Sequence, residues 1–208
     1  MTGKRVLMVE GPDDEHAVKN ICGQRQLGII ENIHPYGGKD PLMDGIGVRL
    51  KESDIGVLGI ILDADTDLHA RWQTVSSRLS QAGYRGVPAA PAHDGTIIES
   101  PANSLLPKVG IWLMPDNRVP GILEDFLRFL VPPGDGLLAH VDLSIDSIQP
   151  EQRKFTDMKK SKARIHTWLA WQEEPGKPFG QAITARYLDS SLPAADIFAS
   201  WLQKTFFS

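Results

Sequence analysis

The chain has 208 residues, 41% of them hydrophobic and 23% charged, which suits a soluble globular fold able to bury a full core. Its single cysteine, Cys22, excludes an intrachain disulfide and a multi-cysteine zinc site. No apolar stretch approaches the roughly 18 residues of a membrane span, and the formal net charge of -4 argues against bulk electrostatic coating of nucleic acid while leaving room for a local basic groove.

Residues 4–9 (KRVLMV) read as a short buried strand, and Glu10-Gly11-Pro12-Asp13-Asp14 then turns the chain into a helix, with proline in the first turn and acids following it. Met1 to Arg5 lead directly into that apolar run, so no targeting signal and a cytoplasmic location are expected. Ala17, Val18, Ile21 and Cys22 share one helix face, which makes Cys22 a packed core residue. Residues 29–36 are a weaker strand candidate. Gly37-Gly38-Lys39-Asp40 is a glycine-rich turn, and a helix is expected from there to about Leu50. Residues 55–62 form the next buried strand. From Asp67 a helix carries Leu68, Trp72, Val75 and Leu79 at helical spacing and ends near Gly83.

This βαβαβα order predicts a parallel sheet with helices on its faces, right-handed crossovers, and ligands at the carboxyl ends of the strands. After Gly86 the texture changes. Residues 95–99 (GTIIE) and 109–114 (VGIWLM) are expected to form an antiparallel pair at a sheet edge, and 121–131 a helix with Ile122, Leu123, Phe126, Leu127 and Leu130 on its core side, ended by Pro132-Pro133-Gly134. The last third reads as mostly helical, with a basic stretch (Arg153, Lys154, Lys159, Lys160, Lys162, Arg164), a helix bearing Trp168 and Trp171, and a final helix packing Ile197, Phe198, Trp201 and Leu202. The expected organisation is an α/β core over residues 1–132 and a helical extension over 133–208 packed on it, or both as one domain.

Chemistry is concentrated where strands end. Alternate residues of an extended strand face the same way, so Asp63 and Asp65 are expected to present their carboxylates together. Glu10 ends the first strand at the same sheet edge, so three carboxylates from two strands converge there. Such crowding is relieved by protonating one acid, by pairing with Arg or Lys, or by binding a divalent cation. Hard oxygen ligands with no cysteine favour Mg²⁺ or Mn²⁺. Asp67, just ahead of Leu68, has the position of a helix N-cap. A second metal would draw on Asp14 or Asp67 with Glu124, although Glu124 and Arg128 also have the i,i+4 spacing of a helical ion pair. Lys159, Lys160 and Lys162 are candidates to receive phosphate or form a solvated helix face. Asp116-Asn117 are ordinary turn residues, and the six histidines form no HxH or HExxH pattern, with His16 the nearest to the acids.

Glu10-Gly11 with Asp13 and Asp14 after VLMV, and Asp63-Ala64-Asp65-Thr66-Asp67 after GIIL, resemble the two signature motifs of the Toprim domain, shared by topoisomerases, bacterial-type primases, small ribonucleases, recombination proteins and OLD-family nucleases. The resemblance covers roughly the first half of the chain. With PGILEDFL and WLAWQEEPGKPFGQAI added, the whole chain is similar to small bacterial Toprim-like proteins, distantly similar to OLD-family nucleases, and for that group the resemblance implies a fold but no settled reaction. It implies a Toprim/Rossmann-like parallel sheet, Glu10 as general acid or base in phosphoryl transfer, and Asp63 and Asp65 as Mg²⁺ ligands. The acid at Glu124 resembles one found beyond the core motifs of OLD-type nucleases.

The expectation is therefore a Mg²⁺-dependent phosphodiester hydrolase or nucleotidyl-transfer enzyme acting on DNA or RNA, with no membrane partner. A homo-oligomer or a larger protein partner stays open. The alternatives are a noncatalytic module binding metal together with a nucleotide or a protein, and a purely structural acidic cluster neutralised by Arg or Lys. The DxDx[TV] motif of haloacid-dehalogenase-like phosphatases is met only superficially, because the fifth position is Asp67 and the strand is a later one. A receiver domain fits less well than the Glu-Gly turn and Asp-x-Asp pair do. No GxGxxG follows the first strand and no GxxxxGK[ST] occurs, so dinucleotide-binding and P-loop folds lack their phosphate loops.

Overall fold

A computed structural model describes residues 3–208; Met1 and Thr2, part of the stretch read for a targeting signal, lie outside the described residues. Alternation along three strands decides the architecture. In β1 (Lys4–Val9), β3 (Ile55–Asp63) and β5 (Lys108–Met114) both faces are apolar, so each strand must be covered on both sides. Leu7, Val9, Ile61, Trp112 and Met114 enter one core, while Val6, Met8, Leu58, Ile60, Leu62, Ile111 and Leu113 enter another. The sheet has the order β2-β1-β3-β5-β4, where β2 spans Asn32–Pro35 and β4 Thr96–Ile98. β1, β2, β3 and β5 run parallel, and β4 is antiparallel to β5.

The expected antiparallel pair is present at one edge of the sheet. β4 is the edge, but β5 lies inside the sheet, parallel to β3, because its doubly apolar sequence needs cover that an edge does not supply. The second strand is shorter than expected, and Ile29, 83% exposed, stays outside it.

α2 (Lys39–Arg49) and α3 (Leu68–Ala82) cover one face through Leu42, Met43, Ile46, Trp72, Val75 and Leu79. α3 ends at Gly83, whose φ of 110° is the left-handed cap expected of a glycine. The other face takes α1 (Pro12–Gln24), α4 (Leu123–Arg128), α5 (Gly136–Ser147), α6 (Lys160–Ala170), α7 (Phe179–Thr184) and α8 (Pro193–Phe206). Cys22 is buried there. α4 is shorter than 121–131, because Gly121 has a positive φ of 153°, Ile122 is extended, and Phe129, Leu130 and Val131 close in i→i+3 turns.

Two glycines let α8 approach. Gly59 and Gly110 are register partners on β3 and β5, and a Cβ on either would collide with Phe206 or Thr205 of α8. The bare backbone makes a notch into which the last turn of α8 settles. Trp112, Phe198 and Trp201 pack beside it with ring centroids 5.0–5.7 Å apart. Val141, Ile145, Ile165, Trp168, Phe198 and Trp201 thus share one core with Leu7 and Ile61. Among the described residues no helix is long and apolar enough to cross a membrane.

Candidate functional site

The carboxyl ends of β1 and β3 are stitched together by their own acids. Glu10 follows β1; its carbonyl accepts the N–H of Gly38 at 2.9 Å, and its Oε1 accepts the N–H of Asp63 at 2.9 Å. Asp63, the last residue of β3, accepts the N–H of Leu123 on Oδ1 at 3.0 Å, which docks the start of α4 on the sheet edge. Asp14, in the first turn of α1, accepts the N–H of Gly11 at 2.9 Å and is buried. Glu124, on α4, is only 4% exposed and pairs with Lys162 of α6 at 3.0 Å.

Glu10, Asp13, Asp14, Asp63 and Glu124 line one cavity of about 360 Å³, closed on another side by Gly37 and Gly38, and Lys162 is the basic residue among its lining. Both glycines have positive φ, 79° and 137°, so this corner depends on residues without Cβ.

Burial and mutual repulsion set the protonation of these acids. Desolvation raises the pKa of Asp63 to about 9, and the charges of Glu10, Asp14, Glu124 and Asp65 add to it. Desolvation likewise lifts Asp14 to about 7, against the Gly11 hydrogen bond and with help from Glu10 and Glu124. Glu10 is raised by burial, opposed by the Asp63 N–H. Burial opposes the charge of Lys162, but its hydrogen bond to Glu124 and the surrounding carboxylates prevail and hold its pKa above the ordinary lysine value.

Asp65 leads elsewhere. Its φ of 55° is left-handed, its N–H donates to the Gly121 carbonyl at 2.9 Å, and its Oδ2 meets the guanidinium of Arg71 and, at 3.3 Å, Lys39. Arg71 also donates from Nε to the carbonyl of Asp63 at 2.9 Å. Asp65 does not line the cavity. The shared facing expected of Asp63 and Asp65 needs extended backbone through both, and the strand ends at Asp63. Asp67 is the N-cap of α3, its Oδ1 accepting the N–H of Ala70 at 2.9 Å.

Of the expected site residues, Glu10, Asp14, Asp63 and Glu124 come together, while Asp65 and Asp67 sit apart with partners of their own. The Glu124–Arg128 ion pair is corrected: Arg128 instead meets Asp142 at 3.6 Å, because Glu124 is turned inward to Lys162. In the basic stretch, Lys160 pairs with Asp146 and Arg164 with Asp142, so Lys162 alone of these three reaches the cavity. His16 is exposed and does not line it. Arg71, Lys39 and the glycine turn were missed as site-forming residues. The Gly-Gly-Lys turn carried a signal for the last two, and Arg71 lies one turn into a helix that starts on the acidic motif.

Among the described residues no group of three or more His, Cys, Asp or Glu side chains is already assembled to hold a metal ion. The donor chemistry nevertheless fits Mg²⁺ or Mn²⁺: the four carboxylates offer only hard oxygens, and the bonds from Asp63 and Leu123 occupy one oxygen each of Glu10 and Asp63, leaving the second for a ligand.

A sequence profile of the family described as "Protein of unknown function (DUF3226)" matches residues 4–207. The chain belongs to that family. No curated protein and no solved structure matches it. The match runs from the first residue of β1 to Phe207, so the family is defined over the notch-bound α8 as well as the acidic edge.

Proposed function

We propose that this DUF3226-family chain is a Toprim-like, Mg²⁺-dependent phosphodiester hydrolase or nucleotidyl-transfer enzyme acting on nucleic acid. The observation that supports this most is the convergence of Glu10, Asp14, Asp63 and Glu124, from two strand ends and two helix starts, on one cavity at the carboxyl edge of the sheet. Four acids in one cavity repel a phosphate unless a cation lies between. Asp63, Asp14 and Glu124 are the residues that would hold Mg²⁺ or Mn²⁺, which when bound would neutralise the nonbridging phosphate oxygens and acidify water.

Glu10 serves as general base. Its burial raises its pKa and so its proton affinity, and it takes the proton of the attacking water while the P–O bond to the leaving oxygen breaks and that oxygen gains a proton from solvent. Lys162, in the same lining and paired with Glu124, would offer a cation to the substrate phosphate. Arg71, held between Asp65 and the Asp63 carbonyl, fixes the strand end that carries Asp63.

The test is cleavage of single- and double-stranded DNA and RNA with Mg²⁺ or Mn²⁺, using Glu10→Gln and Asp63→Asn as controls that stay folded. No cleavage with any divalent ion removes the enzyme reading. The Lys162–Glu124 pair, which already neutralises one acid from within, favours a second reading: a noncatalytic module that binds metal with a nucleotide or a protein. Calorimetric metal binding without any cleavage supports that reading instead.

A further inference from the structure

Among the described residues, Lys162 is the only basic side chain that lines the acidic cavity. Glu10, Asp14, Asp63 and Glu124 arrive there from the ends of strands and the starts of helices. Lys162 comes from solvent instead: it stands in the first turn of α6, its side chain is 50% exposed, and its Nζ reaches to 3.0 Å from Oε1 of Glu124, whose side chain is only 5% exposed.

The four acids are satisfied in two different ways. Glu10, Asp14 and Asp63 each accept a backbone N–H, from Asp63, Gly11 and Leu123, and those donors are fixed as long as the fold is. Glu124 takes the ammonium of Lys162, a full positive charge on a long flexible stem. An ammonium and a hard divalent ion seek the same anionic oxygen, and two cations held close together repel. Glu124 is thus the acid whose partner a metal ion would have to displace.

The contact between α4 and α6 does not depend on that ion pair. One residue before Lys162 and one after Glu124, Ser161 donates from Oγ to Asp125 Oδ1 at 2.6 Å, and Asp125 Oδ2 accepts the N–H of Ile122 at 3.0 Å. Ile165 and Trp168 of α6 share a core with Leu123, Phe126 and Leu127 of α4. Lys162 can therefore swing away while Glu124 stays in the cavity wall.

We propose that Lys162 is a tethered cation that holds Glu124 in the metal-free protein and competes with the divalent ion for it, a role that rests on the metal-binding reading of the same cavity. Metal uptake exchanges the ammonium for the metal at Glu124 and releases Lys162 toward the open side. A buried carboxylate without a counter-ion is costly to the fold, and Lys162 offsets that cost while the metal is absent. The consequence is a site that binds its metal more weakly than its acids alone would, and that presents a free ammonium to substrate only once the metal is in place.

The experiment is calorimetric titration of Mn²⁺ into the metal-free full chain, with no substrate and no assay of cleavage. Lys162→Met and Lys162→Gln are expected to bind Mn²⁺ about tenfold more tightly than the wild type, a change of about 1.4 kcal/mol. Lys162→Arg, which keeps the charge, should stay close to the wild type. With Glu124→Gln as the background, Lys162→Met should lose most of its gain. Circular dichroism melts identify any variant that does not fold, and the two neutral replacements serve as checks on each other. Equal Mn²⁺ affinity in the wild type and the neutral variants overturns the role of Lys162 and leaves the metal site standing. A gain kept in full with Glu124→Gln overturns exchange at Glu124, and absence of Mn²⁺ binding in every variant overturns the metal reading together with this one.

Discussion

Asp63 and Asp65 stand two residues apart at the end of one strand and live in opposite electrostatic surroundings. The Asp63 carboxyl faces Glu10, Asp14 and Glu124 and accepts one backbone hydrogen bond, from Leu123, whereas Asp65 faces Arg71 and Lys39. Both answers to crowded negative charge, protonation and pairing, are thus used within three residues. The unpaired side keeps an unmet demand for positive charge, and the paired side spends its charge on architecture.

The sharpest way to break this contrast is to neutralise each acid in turn. Under the proposed function, Asp63→Asn is expected to lower cleavage by about 10²–10⁴-fold, a range typical of groups that act at the reacting centre. The metal-free protein should remain folded, since an amide still accepts the Leu123 N–H. Rate assays beside circular dichroism check this, and an active Asp63→Asn enzyme rules the role out.

Proton linkage sharpens it further. A carboxyl whose folded-state pKa is raised stabilises the fold fully below its unfolded value and loses that contribution as pH climbs through the folded one. Metal-free protein is therefore expected to lose melting temperature from near pH 4 upward, through about 7 for Asp14 and about 9 for Asp63. Cation binding displaces those protons, so Mg²⁺ should stabilise more at pH 8 than at pH 5; at 100 times its Kd at pH 8 it should add about 2.7 kcal/mol there. Scanning calorimetry across pH, with and without Mg²⁺, reads both slopes. A metal-free melting temperature that rises over this window contradicts the assignment.

On the paired side the expected loss is of stability. Asp65→Asn removes the charged partner of Arg71, whose side chain is only 12% exposed and keeps its bond to the Asp63 carbonyl, and is expected to cost about 1–3 kcal/mol. Urea melts in metal-free buffer check this, and Asp63→Asn in the same series should cost less. The smallest effect belongs to Asp67→Ala, which removes the α3 cap bond to Ala70 and should cost about 1 kcal/mol, leaving metal-induced stabilisation as in the wild type.

What could be read from sequence follows the range of the forces involved. β1, α1, β3 and α3 were legible because apolar periodicity, proline at the helix start, Asp67 as a cap and Gly83 as a stop act over a few residues. Glu10 and Asp63 were legible as neighbours because a parallel sheet brings their strand ends to one edge. The left-handed turn at Asp65 was not, since alternation predicts direction only while the chain stays extended. Glu124 misled through a sound local rule: i,i+4 spacing favours Arg128, but burial beside Lys162, 38 positions away in sequence, decides its orientation. Gly59 and Gly110 looked like ordinary strand residues, because their meaning lies in Thr205 and Phe206, far along the chain.

That glycine notch makes α8 a lever. One end of the rod is seated at Thr205 and Phe206 against the bare sheet, and Ile197, at the other end, walls a small cavity that Trp112 also lines. The span between Ile197 and Thr205 is about 12 Å of stiff helix, so a methyl group added at Gly110 acts as a shim that tilts the rod and reshapes a pocket it does not touch.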